Sequence, residues 1–284
     1  SIVLLKNENS ALPFTDKPQK IAIIGGLAED RMTQLGSWRA RGQADDVVSF
    51  IDGLRANAPA GTQFFYTAGT IPSSDETSGI PLAVGAAQAA DRVLLFVGED
   101  YDLSGEARSR SDLELPASQR ALADAILATG KPVTVILSTG RAVAIEDIAT
   151  RADAVVNTWM LGVEAGNALA DVLWGKVSPA ARLPVDFPLR TGAVPYTYSE
   201  YPSGRPANPD LAVDSNRYRD LDVTPLYPFG YGLSYSKFDY GDLKVTSDRV
   251  VPDGQISLSV SVTNSGERDA DEVVQLYMRD PVAT

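Results

Sequence analysis

Four short apolar runs constrain this chain more than any other feature: residues 21–26 (Ile-Ala-Ile-Ile-Gly-Gly), 92–98 (Arg-Val-Leu-Leu-Phe-Val-Gly), 132–139 (Pro-Val-Thr-Val-Ile-Leu-Ser-Thr) and 154–160 (Ala-Val-Val-Asn-Thr-Trp-Met). Each is nearly continuous rather than alternating, which is the pattern of a strand covered on both faces. Helical patterns at residues 47–56, 82–90, 118–129 and 164–174 lie between or beside them. The third of these sets Ala121, Leu122, Ala125 and Ile126 on one face and closes with Gly130 and Pro132. Alternation of this kind implies βαβ units, hence a largely parallel sheet with helices on both sides. Right-handed crossovers then send every βα loop to one rim. Two of those loops are long, residues 27–46 and 99–116. Open α/β sheets hold their ligands at that carboxyl rim, so chemistry is sought in these two loops.

From about residue 191 the texture changes to Pro, Tyr, Gly and Asn without a helical period, through Tyr201-Pro202-Ser203-Gly204-Arg205-Pro206. This reads as an ordered connector over 191–236. Alternation returns in Ile256-Ser257-Leu258-Ser259-Val260-Ser261-Val262, followed by the turn-prone Asn264-Ser265-Gly266 and an apolar run at 273–278. That is the pattern of an antiparallel sandwich. Residues 237–284 have room for about three strands of the roughly seven such a domain needs, so only part of one is expected.

Charge and composition narrow the chemistry. The 284 residues carry a formal charge of −12 with a pI near 4.5, which disfavours nucleic acid and anionic membrane surfaces as partners. With neither cysteine nor histidine present, Ser-His-Asp and Cys-His catalysis within the chain are excluded, and a metal would find only oxygen ligands. Carboxylates are the main acid/base groups left. No run reaches the roughly 20 apolar residues of a membrane-spanning helix, and the lack of a signal-peptide pattern is uninformative for a chain expected to start within a longer protein. The start at Ser1-Ile2-Val3-Leu4-Leu5-Lys6-Asn7 reads as entry into the middle of a protein.

After the 92–98 run, residues 98–113 pack five carboxylates, Glu99, Asp100, Asp102, Glu106 and Asp112, with Arg108 and Arg110. Such a loop could orient a polyhydroxylated ligand and supply a proton. On composition alone a solvated charged loop is the simpler account. In the other long loop, Trp38 has polar neighbours, Ser37, Arg39 and Arg41, which favours the rim over the core. An indole face there could stack on a sugar ring. Gly25-Gly26 invites a nucleotide-binding reading, but the Gly-x-Gly-x-x-Gly spacing is missing and Glu29 and Asp30 would repel a pyrophosphate.

The stretch Gly105-Glu106-Ala107-Arg108-Ser109-Arg110-Ser111-Asp112-Leu113 resembles the acid/base loop of family 3 glycoside hydrolases. Further segments match that family in order, among them Gly36-Ser37-Trp38, Gly140-Arg141, Gly162-Val163-Glu164-Ala165-Gly166 and Leu183-Pro184-Val185-Asp186-Phe187-Pro188. The string Tyr227-Pro228-Phe229-Gly230-Tyr231-Gly232-Leu233-Ser234-Tyr235 is the most specific. The resemblance implies an exo-acting retaining β-glucosidase in which a (β/α)₈ barrel outside this chain, on the same or a companion polypeptide, supplies the nucleophile. Glu106 matches the family's acid/base, and Trp38 lies where the family places an aromatic beside the leaving group. Glu99 and Arg108 are the further candidates for contact with β-linked glucosides or oligosaccharides. Arg108 and Arg110 are expected to turn away from the Glu106 carboxyl, one of them pairing with Asp102 or Asp112.

The fold expected is a flavodoxin-like α/β sandwich with a mostly parallel sheet over residues 1–190, then the connector, then a partial all-β fibronectin type III-like sandwich. No cofactor and no metal are implied, and the family points to a periplasmic or secreted location. A β-xylosidase or other exo-glycosidase of the same family is the first alternative. The second, from another class, is a carbohydrate-binding or scaffold module without catalysis.

Overall fold

The structure, a computed structural model, describes residues 1–195, 198 and 218–278. Six strands pair into one sheet: β1 (Val3–Asn7), β2 (Lys20–Ile24), β3 (Gln63–Thr67), β4 (Arg92–Gly98), β5 (Val133–Ser138) and β6 (Ala154–Asn157). Their order is β1-β6-β5-β4-β2-β3, parallel throughout except for β1, which runs antiparallel to β6. The four apolar runs are thus the four inner strands. The two edge strands were not read as strands in the sequence. β3, Gln-Phe-Phe-Tyr-Thr, is only half-buried and breaks the apolar pattern at Gln63, while β1 reverses direction and so falls outside the βαβ grammar.

Pleating sends alternate residues of each strand to opposite faces. Val93, Leu95 and Val97 point to one side with Val133, Val135 and Leu137. Leu94 and Phe96 point to the other with Ile21, Ile23 and Ile136. The first face is covered by α3 (Ile80–Ala89), α4 (Ala117–Leu127) and α5 (Glu146–Arg151), the second by α2 (Phe50–Asn57) and α6 (Ala165–Leu173). A short α1 (Arg31–Leu35) lies within the 27–46 loop. Each fully buried Leu, Ile or Phe stabilises this packing by roughly 1.5–3 kcal/mol. The α2 and α6 helices meet backbone to backbone: a Cβ added at Gly53 would stand 2.0 Å from the Gly166 carbonyl carbon.

Strand order decides where the rim opens. From β2 the chain goes to β3 on one side, then crosses back to β4 on the other, so the switch point lies between the carboxyl ends of β2 and β4. Those are the ends that carry the two long loops.

The segment after α6 returns over the sheet edge. Leu233 N donates to Leu4 O at 2.8 Å, Leu183 N to Tyr231 O at 2.8 Å, and Tyr235 Oη to Val172 O at 3.0 Å. Tyr227 stacks on Tyr231 and meets Phe187 edge-on, so this tyrosine-rich string packs rather than faces a ligand. The Tyr201–Pro206 stretch assigned to the connector lies outside the described residues. Farther on, β7 (Phe238–Tyr240) pairs antiparallel with β10 (Val262–Asn264), and β8 (Lys244–Val245) with β9 (Leu258–Ser259). The alternating run at 256–262 therefore contributes two short strands. Residues 273–278, expected as a strand, have no ladder partner among the described residues, and Val274, Leu276 and Met278 are exposed.

Candidate active site

The 27–46 loop is stiffened before it reaches the rim. Asp30 caps α1 by accepting from Thr33 N at 3.0 Å and from Thr33 Oγ1 at 2.6 Å, which satisfies an otherwise orphaned helix N–H. Thr33 Oγ1 in turn accepts from Tyr101 N at 3.1 Å, and the Arg39 guanidinium sits 5.2 Å from the Tyr101 ring centroid. The two rim loops are thereby joined. They touch so closely that a Cβ at Gly105 would stand 2.1 Å from Ser37 Oγ. Between them runs a groove of about 510 Å³ lined by Ser37, Trp38, Ser104, Gly105, Arg108 and Arg141 among others. Trp38 is 75% exposed, so it is no core tryptophan. By contrast Trp174 is buried edge-on against Phe14, and Trp159 packs on Phe187, as expected of structural residues.

Glu106 is exposed and lies in sequence between the groove residues Gly105 and Arg108, and it is not itself one of the residues that line the groove. Its neighbour Ala107 has φ +58°, a left-handed conformation that costs a residue with a Cβ about 1–2 kcal/mol. Backbone strain of this kind persists only where surrounding contacts hold it. Among the described residues the Glu106 carboxylate has no hydrogen-bond or ion-pair partner. The other carboxylates of the loop are engaged: Asp100 with Ser73 Oγ and the backbone N–H of Asp102, Asp102 with Arg108 at 3.7 Å, and Asp112 with Thr191 Oγ1 at 3.0 Å. Hydrogen bonds from the Glu114 N–H and from Thr191, together with nearby Arg110 and Arg120, hold the Asp112 carboxyl below the usual range.

Glu99 lies elsewhere. It is fully buried beneath the loop, and both its oxygens accept hydrogen bonds: Oε1 from Arg110 Nη1 at 2.8 Å, Oε2 from Thr139 Oγ1 at 2.9 Å and from Arg141 Nε at 3.1 Å. The expected pairing of a loop arginine with Asp102 is present through Arg108, whereas Arg110 turns inward to Glu99. Arg108 also donates to the Glu106 carbonyl at 3.3 Å. Arg141 took no role in the sequence reading beyond its place in a matching segment. It follows β5, and only the strand order shows that β5 lies next to β4 at the rim. Among the described residues, no group of three or more Asp or Glu side chains is placed to hold a metal ion, and no helix is long and apolar enough to cross a membrane.

The model of the glycosyl hydrolase family 3 C-terminal domain matches residues 2–235. A periplasmic β-glucosidase of Salmonella typhimurium is 38% identical over all of this chain, which spans 40% of that protein. A β-xylosidase of Formosa agariphila is likewise 38% identical over all of this chain, which spans 39% of it. Among solved structures, a β-glucosidase of Listeria innocua in complex with glucose superposes with a TM-score of 0.85 at 32% identity, over 94% of this chain and 36% of that one. The chain thus spans about two fifths of the length of the curated relatives it matches.

Proposed function

This chain belongs to glycosyl hydrolase family 3, and we propose that it is the acid/base half of an exo-acting retaining β-glucosidase, with Glu106 as proton donor and a barrel outside the chain as source of the nucleophile. The observation that carries this reading is the state of the loop's carboxylates. Among the described residues, four of the five carboxylates between 99 and 112 are held by hydrogen bonds or ion pairs, whereas Glu106 is exposed and without a partner at the rim whose groove Trp38 lines. A carboxyl that must give up a proton and take it back in each turnover cannot be locked by an arginine, since the cation would favour its charged form.

Retaining hydrolysis needs two carboxyl groups about 5–5.5 Å apart. Glu106 would protonate the leaving oxygen while the barrel's carboxylate attacks the anomeric carbon, then deprotonate the water that releases the sugar. Trp38 would stack on the leaving-group sugar. Arg108, bonded to the Glu106 carbonyl, would support the loop beside it. The fibronectin type III-like reading of residues 237–284 and the division at about 190 and 236 belong to the same proposal, as does a periplasmic or secreted location, which the Salmonella relative's name supports.

The sugar would be recognised mainly by the barrel. A β-xylosidase is as similar to this chain as a β-glucosidase is, so xylose is the second reading. An uncommitted Glu106 on a strained loop favours an enzyme over a binding module.

The test is Glu106→Ala in the full-length protein. Hydrolysis of oligosaccharides should fall by about 10²–10⁴-fold, the usual worth of general acid catalysis. The kcat/KM for a dinitrophenyl glycoside should be nearly spared, because that leaving group needs no proton. Azide, which attacks without a base, should restore turnover and appear as a β-glycosyl azide. Oligosaccharide hydrolysis within about threefold of wild type, or failure of azide to rescue, would remove the assignment.

A further inference from the structure

We propose that Glu99 is a positioning residue that sets the acid/base geometry through Arg141, an inference that rests on the assignment of Glu106. The Glu99 carboxylate leaves the end of β4 and faces inward, 0% exposed, with donors on both oxygens. Glu99 is fully buried and is not among the residues that line the groove, which argues against a direct sugar contact. What it holds is two guanidinium groups that each end on the backbone of the acid/base loop. Arg141, fixed to Glu99 through Nε, directs Nη2 to the carbonyl oxygens of Leu103 and, at 2.8 Å, of Arg108. Those carbonyls bracket Glu106, three residues before it and two after it. Arg110, fixed through Nη1, directs Nη2 to the Glu114 carbonyl at 3.0 Å.

Rigidity at the base of this network comes from the strands. Glu99 N donates to Ser138 O at 2.9 Å, and Thr139 Oγ1, which donates to Glu99, accepts from Arg141 N at 3.3 Å. A planar fork suits the task, since one guanidinium can satisfy a carboxylate on one edge and two carbonyls on another. Removing the negative charge would leave two largely buried cations unpaired, and such a group escapes toward water when it can. The bracket around Glu106 would then open, and Ala107, held at φ +58°, would be free to relax. Misplacing a catalytic group by about 1 Å can cost about 10²-fold in rate.

Four variants of the full-length protein test this: Glu99→Gln, Arg141→Lys, Glu106→Ala, and the double variant Glu99→Gln/Glu106→Ala. For each, kcat/KM is measured on a disaccharide and on a dinitrophenyl glycoside. Glu99→Gln should lower disaccharide kcat/KM by about 10–100-fold while leaving the dinitrophenyl substrate within about threefold. Arg141→Lys, which keeps the charge but not the fork, should repeat the pattern. In the Glu106→Ala background, Glu99→Gln should cost no more than about threefold further on either substrate, because two residues acting through one group are non-additive. Equal losses on both substrates, or a full additional loss in the double variant, would show that Glu99 acts independently of Glu106 and overturn the proposal. If Glu99→Gln does not fold, Arg141→Lys decides by the same criteria. Collapse of both variants also overturns it, because the network would then be a folding requirement. A Glu106→Ala protein without leaving-group dependence removes the acid/base assignment itself, whatever Glu99→Gln does.

Discussion

Substituting Gly53 by alanine should destabilise the α/β body far more than any ordinary glycine substitution in a helix. A Cβ at this position would stand 2.0 Å from the Gly166 carbonyl carbon, 2.3 Å from its oxygen and 2.5 Å from its Cα, where ordinary contact begins at 3.4 Å. The obstacle is backbone of another helix, so no rotamer change relieves it. The α2 and α6 helices must part by roughly 1 Å, which loosens Phe50, Ile51 and Leu54 against Leu169 and Leu173, all buried. Overpacking of this kind costs about 1–3 kcal/mol where side chains can adjust, and more where they cannot. Alanine regains about 1 kcal/mol of helix propensity. A net loss of about 3 kcal/mol is expected, or a Tm lowered by roughly 6–12 °C at 2–4 °C per kcal/mol.

The control is Gly85→Ala in α3. This glycine is exposed, and a Cβ there meets nothing within 4 Å, so only the propensity gain remains and stability should rise by about 0.5–1 kcal/mol. Urea unfolding followed by tryptophan fluorescence suits the purpose, because Trp174 is buried beside α6 and Trp159 is half-buried at the end of β6. The reasoning is refuted if Gly53→Ala unfolds within about 1 kcal/mol of wild type, or if the two substitutions have the same sign.

Trp38→Ala in the full-length protein should reduce kcat/KM on oligosaccharides more than on a small aryl glycoside, by about 5–10-fold for a lost stacking contact of ~1 kcal/mol or slightly more. An equal, small loss on both substrates would make Trp38 a packing residue. Alkaline pH should loosen the return segment over the sheet edge. Burial pushes the phenols of Tyr227, Tyr231 and Tyr235 above their usual value. The unfolded chain ionises them near pH 10 while the folded chain keeps them neutral, so their contribution is full below about pH 10 and is lost as pH climbs toward the folded-state values. Urea midpoints measured between pH 8 and 11 should fall steeply above about 10, less so in Tyr227→Phe/Tyr235→Phe, and a flat profile would contradict the burial argument.

The inner strands were legible in the sequence because a strand buried on both faces must be apolar at nearly every position, which leaves a local, unmistakable run. Edge strands escape that requirement. β3 is half-solvated, and β1 needs a partner about 150 residues away, so neither leaves a full signature in its own residues. The rim loops could be located because their length interrupts the strand–helix rhythm, and Glu106 and Trp38 were named within them from the family resemblance. The roles of the surrounding charges depended on something no local pattern contains. That β5 lies beside β4 is set by strand order, and this places Thr139 and Arg141 against Glu99. Two carboxylates seven residues apart in one loop thereby acquire opposite characters: Glu99 is desolvated and paired, Glu106 exposed and unpaired. Residue type and spacing determined which groups could do acid/base chemistry. Burial and the direction of each side chain, which arise only when distant strands meet, decided which of them is free to do it.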